Sequence, residues 1–219
     1  MGKRKYTDEE IIRKYEEFGP VDFQNPDPYK NDWWKYKEAV EKAKLESEEE
    51  RKMHEWLLSI YPTKLPFCIT ISERKRFKWL ACYSLHGSQI TMFRRAFLPL
   101  DDFNKKLWLE TLLHEYAHLI ASECSKWDDD THGCVFRSTL FILWNLAYKK
   151  GIYLISAEAY EHYWNFYVKS TPVFERVCKA LNVSYEELSK PYLLKEEIDR
   201  KRCEWLKNTS LQDYLISNK

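Results

Sequence analysis

Glycine and proline are scarce, with five and eight among 219 residues. That scarcity excludes a long low-complexity tract of the Gly/Pro type. No apolar run approaches the ~18 residues of a membrane-spanning helix, so no membrane partner is expected. The positive charge of MGKRKYTDEE has no apolar stretch behind it, which argues against a secretory leader. Position 6 is Tyr rather than Ser or Thr, which argues against myristoylation at Gly2. The cysteines at 68, 82, 124, 134, 178 and 203 include no CxxC pair, which excludes a zinc ribbon. Free thiols in a reducing compartment are expected, and with them an intracellular location, cytoplasm or nucleus, rather than secretion.

What is present suffices for one sizeable core: 44% of residues are hydrophobic and 16% aromatic. Net charge is only +1, yet residues 61–100 hold seven basic residues against the single acid Glu73. Residues 1–62 read as a helical N-terminal region. Thr7 and Glu10 form a capping-box pattern before a short helix over 8–18. A proline-rich loop follows, then a helical pattern from Trp33 to Ile60. Its charged middle, ESEEERK, reads as a solvated face. FCITIS, KWLACYSL and QITMFRRAFL read as three strands of an antiparallel meander, with a turn at His86, Gly87 and Ser88. A helix over 103–123 follows, capped by Asp101 or Asp102. After the polar loop SKWDDDTHG, another helix runs from Cys134 to Lys150 and stops at Gly151. Residues 152–219 read as a helical C-terminal region, expected to pack on a core at 63–151. The fold class is α+β.

The chemistry concentrates in LLHEYAHLI, residues 112–120. Positions i and i+4 of a helix share a face, so His114 and His118 can reach one ion from a rigid element. Zinc suits neutral imidazole nitrogens, and a catalytic zinc takes three protein ligands with one position open. Glu115 lies beside that position, where a carboxylate can accept a proton from an attacking water. A metzincin-type continuation is excluded, because Ala121 and Cys124 stand where Gly and His are needed. His132 is the favoured third ligand, at the start of the next helix, with Gly133 allowing close approach and Phe136 anchoring that helix. Glu158 and Glu161 on a later helix are the alternatives. Tyr83, Tyr160, His162 and Tyr163 are candidates to stabilise an oxyanion.

TLLHEYAHLI followed by HGCVF resembles the SprT-like zinc metallopeptidases, in which HExxH is followed by a loop and HGxxF. The resemblance covers about residues 65–150. It implies a zincin-like core with a small antiparallel sheet and an HExxH active-site helix. It also implies a zinc-dependent protease, often associated with DNA, in which Zn2+ is held by His114, His118 and His132 and Glu115 is the catalytic base. The expected substrate is a protein bound or crosslinked to DNA. The zinc ribbon common in the family is missing. Two other readings stay open: a processing metalloprotease with one protein target and no DNA role, and a non-catalytic zinc-stabilised nucleic-acid-binding module.

The basic segment supplies the candidate nucleic-acid contacts: Arg74, Lys75, Arg76, Lys78, Arg94 and Arg95, with Lys64 nearby. Phe77 and Trp79 among them suit stacking on unpaired bases of single-stranded or damaged DNA. The same residues would also make an ordinary charged hairpin with a core Trp. QITMFRRAFL is the expected strand onto which a peptide substrate could add through its backbone.

Overall fold

The computed structural model describes residues 33–208, apart from 64, 75–78, 85–87, 100, 125–131, 170–171 and 189–194. The helix expected over 8–18, the turn at 86–87 and the acidic loop at 128–130 lie outside the described residues. The chain forms α1 (Trp33–Ala43), α2 (Glu48–Ile60), β1 (Cys68–Ser72), β2 (Ala81–Ser84) and β3 (Gln89–Phe93). A 3-10 turn (Arg94–Phe97) leads to α3 (Asp102–Cys124) and α4 (Cys134–Lys149). Then come α5 (Ala157–Tyr163), a π-helical turn (Trp164–Val168), α6 (Phe174–Ala180), α7 (Tyr185–Leu188) and α8 (Lys195–Asn208). The class is mixed α+β, mostly helical, with one three-stranded sheet. Among the described residues no helix is long and apolar enough to cross a membrane.

The helical pattern over 33–60 is two helices, not one. Ser47 caps α2: its hydroxyl accepts from the Glu50 N–H, and the Glu50 carboxylate accepts from the Ser47 N–H at 2.7 Å. This reciprocal box satisfies two donors that a helix start leaves orphaned, so the chain breaks there.

The sheet corrects the expected antiparallel meander. Its order is β1-β3-β2, with β1 parallel to β3 and β2 antiparallel to it. Period-2 alternation tells which face a residue takes but not which strand lies beside it. The outer edge of β1 is closed by side chains. The N–H of Ile69 donates to Glu46 Oε1 at 2.6 Å, and that of Ile71 to Glu50 Oε1 at 2.7 Å. Arg94 adds an ion pair to Glu49 at 2.6 Å. Part of the ESEEERK run is therefore a clamp on a sheet edge rather than a solvated face. We expect Glu46→Ala to destabilise the protein by about 1–3 kcal/mol, because it strips the partner from the buried Ile69 N–H. Urea unfolding of the two proteins measures this, and an unchanged midpoint would show that the clamp contributes nothing.

Asp101 caps α3, accepting from the Asn104 N–H at 2.8 Å. The middle of α3 is buried almost all round, between the sheet on one side and α4 on the other. A helix so placed must be apolar on most faces, which makes its His and Glu residues conspicuous. Trp108, fully buried, meets Phe97 edge-on at 4.7 Å and donates to Met53 Sδ at 3.3 Å, joining α3 to the 3-10 turn and α2. Helix α4 ends where Gly151 takes φ +79, with the Ile152 N–H returning to Ala147 O at 3.0 Å. Only glycine enters that conformation at little cost. Beyond it, Phe141 on α4 gathers Tyr160, Trp164 and Phe174. One hydrophobic cluster runs from Met53 on α2 to Ile198 on α8. All six cysteines are free thiols.

Candidate metal centre and cleft

Two elements meet to make the site. Helix α3 presents His114 and His118 one turn apart, and His132 stands just before Gly133, the N-cap of α4. One ring nitrogen from each of these three residues lies within 4.8 Å of the other two. His114 Nε2 and His132 Nε2 are 3.2 Å apart. Two nitrogens bound at ~2.0–2.1 Å on tetrahedral corners stand roughly 3.3 Å apart. The donor set, three imidazoles with converging nitrogens, thus fits one metal ion. Burial lowers the pKa of His114 to about 4, helped by nearby His132. Burial also lowers His118 to about 3, with further contributions from His114 and His132. Both rings are therefore neutral near pH 7, as ligation requires. Glu158 and Glu161, the alternative third ligands, are exposed on α5 and are not part of the cluster.

Phe136 does more than anchor α4. Its ring stacks on His118 at 4.2 Å and 25°, and meets His114 at 4.9 Å and His132 at 4.8 Å. One buried phenyl ring touches all three imidazoles, fixing their planes and shielding that side from water. We expect Phe136→Leu to weaken metal binding on the order of 10–100-fold, the range found when groups supporting a ligand are removed. Competition with a chromophoric chelator measures this, and unchanged affinity would limit Phe136 to packing.

Glu115 is buried, with 8% of its surface exposed. Burial raises its pKa to about 7, while a hydrogen bond from the Tyr83 backbone N–H works the other way. That bond ties the carboxylate to β2, which runs alongside α3. A cation in the triad would also favour the ionised form.

The strand bordering the site is therefore β2, not β3. Strand β3 has a neighbour on each side and cannot accept another. Just before β2, Leu80 O accepts from the Phe93 N–H at 3.0 Å. Antiparallel pairing alternates inward and outward backbone groups, so residues 81 and 83 direct theirs away from β3. An open cleft of about 380 Å³ lies between this edge and α3, lined by Trp79, Leu80, Ala81, Leu107, Glu110, Thr111, His114 and Glu115.

Of the four oxyanion candidates, Tyr83 is hydrogen-bonded through its backbone to Glu115. The Tyr160 hydroxyl donates to Asn145 Oδ1 at 2.6 Å inside the core. Tyr163 packs edge-on to Trp144 at 4.8 Å, and His162 lies against Phe166 and Tyr167.

The basic candidates separate. Lys75, Arg76 and Lys78 lie outside the described residues, as does Lys64. Arg74 and Arg95 are exposed. Arg94 is only 17% exposed and bridges Glu49 and Glu73 at 2.6 and 2.7 Å, so its charge is balanced within the fold. Trp79 is not a core residue: it is 53% exposed, at the cleft.

Sequence reasoning missed the edge clamp of Glu46 and Glu50, the contact of Phe136 with all three imidazoles, and Leu107 in the cleft wall. Leu107 was readable in principle: it stands seven residues before His114, two turns back on the same helix face. Comparison with protein-family models, with curated proteins and with solved structures finds no match.

Proposed function

We propose that the protein is a zinc-dependent endopeptidase of the SprT-like type, built on a zincin-like core. One observation carries this reading: a buried carboxylate, Glu115, adjoins three converging imidazoles and faces an open cleft bordered by a strand edge. A purely structural metal site has no use for that carboxylate or that opening. His114, His118 and His132 would hold the ion. When bound, zinc would supply Lewis acidity toward the scissile carbonyl and lower the pKa of a water there. Glu115 takes a proton from the attacking water as its oxygen adds to the carbonyl carbon. It returns a proton to the amine nitrogen as the C–N bond breaks. The Tyr83 N–H holds the carboxylate in place. The peptide lies along β2, bonded through backbone groups, which makes cleavage weakly sequence-selective.

Proteins bound or crosslinked to DNA are the proposed substrates, with Arg74, Lys75, Arg76, Lys78 and Arg95 as the proposed source of positive charge for phosphates. A processing protease without a DNA role is the second reading. It is favoured by Arg94, which the fold uses for its own ion pairs. The test is cleavage of casein by wild type and Glu115→Gln, each with and without single-stranded DNA. Wild-type cleavage stimulated by DNA supports the first reading, and DNA-independent cleavage supports the second. No Glu115-dependent cleavage would overturn both and leave a metal-binding module.

A further inference from the structure

The cleft has a polar end and an apolar end. His114 and Glu115 form the first. At the other, Trp79 is 53% exposed and Leu80 38%, and both face the cleft together with Leu107 of α3. Large apolar side chains left open beside a site of chemistry suit an apolar ligand group. Direction follows from the backbone. Residues 79–81 share the cleft with 107–111, while Tyr83 meets Glu115, so β2 and α3 run the same way. A peptide adding to β2 in the antiparallel sense, the more stable pairing, runs N to C from Tyr83 toward Trp79. Its residues after the scissile bond therefore pass over the apolar end.

We infer that Trp79, Leu80 and Leu107 form a specificity subsite for a bulky apolar side chain on the C-terminal side of the cleaved bond. The inference rests on the endopeptidase reading and adds to it the class of substrate. Spacing sets the reach. Leu107 lies two helical turns from His114, roughly 10 Å along the axis. At ~3.3 Å per strand residue this spans about three positions after the cut. No Lys or Arg is among the described residues that line the cleft, so acidic side chains find no cationic partner at these positions.

The experiment digests a peptide library of mixed sequence with zinc-loaded wild type, Trp79→Ala, Leu107→Ala and Glu115→Gln, and maps the cuts by mass spectrometry. Melting midpoints and zinc content of each variant confirm that it is folded and loaded. The expected result is enrichment of Leu, Phe, Met or Ile, and depletion of Asp and Glu, within three positions after the cut. The preference should be on the order of ten-fold and largely lost in Trp79→Ala and Leu107→Ala. Glu115-dependent cuts with no such preference, with one on the N-terminal side, or with one that survives both substitutions would overturn the subsite while the protease reading stands. Absence of Glu115-dependent cuts would overturn both.

Discussion

Glu115→Gln is expected to remove proteolysis and leave the metal bound. A positioned general base contributes about 10²–10⁴-fold to rate, so residual turnover should fall by at least two orders of magnitude. The three ligands are untouched, and zinc should remain at one equivalent per chain. Stability separates a chemical role from a structural one. Glu115 has its folded-state pKa raised by burial to about 7, against 4.5 for an ordinary glutamate. The folded state therefore binds the extra proton between those limits, and the contribution of the neutral form is lost as pH rises through 7. Glutamine is permanently neutral, so metal-free Glu115→Gln should be at least as stable as wild type at pH 8. Casein cleavage, zinc content and a melting curve together decide the matter. Full activity in the variant would sink the mechanism, and a large fall in melting midpoint would show that the residue is structural.

The site was more legible in the sequence than the sheet was. His114, Glu115 and His118 are one local helical pattern, and helical spacing alone places them. His132 needed only a short loop and a helix start to reach them. Gly151 and Asp101 announced their helix ends through side-chain and backbone chemistry that acts within a few residues. Strand neighbours are different, because hydrogen bonding between strands leaves no mark on either strand's alternation. The parallel pairing of β1 with β3 therefore could not be read. Nor could the use of Glu46 and Glu50 on β1, some twenty residues away in sequence. Charge in a run such as ESEEERK is the same whether it faces water or the backbone N–H groups of a strand. The error about which strand borders the site follows from the first: a meander leaves β3 at an edge, and the observed order leaves β2 there.

The two edges of the sheet are treated oppositely. Carboxylates from the α1–α2 junction close β1. Among the described residues no strand pairs on the outer side of β2, where the Tyr83 N–H goes to Glu115. Exposed edges recruit other strands indiscriminately, so the arrangement restricts strand addition to the edge where the candidate chemistry lies.

The metal-free protein is expected to lose stability in mild acid, through the histidines that metal would occupy. His114 and His118 have folded-state pKa values lowered to about 4 and about 3, against 6.5 for an ordinary histidine, with burial the main cause. The unfolded chain therefore takes up protons below pH 6.5 that the folded chain refuses, and stability falls as pH drops through that window toward 4. Each ring contributes up to about 3 kcal/mol at pH 4, less to the extent that water reaches it. Carboxylates also titrate there, so the comparison must cancel them. Urea unfolding of chelator-treated wild type and of a His114→Asn, His118→Asn double variant, from pH 7 to pH 4, does so by difference. The wild-type curve should fall more steeply than the variant's, with the gap opening between pH 6.5 and 4. Zinc at a thousand times its dissociation constant should add about 4 kcal/mol to wild type at pH 7, and nothing to the variant. Parallel curves would mean that His114 and His118 are not held neutral by burial, and that support for the metal assignment would fall with them.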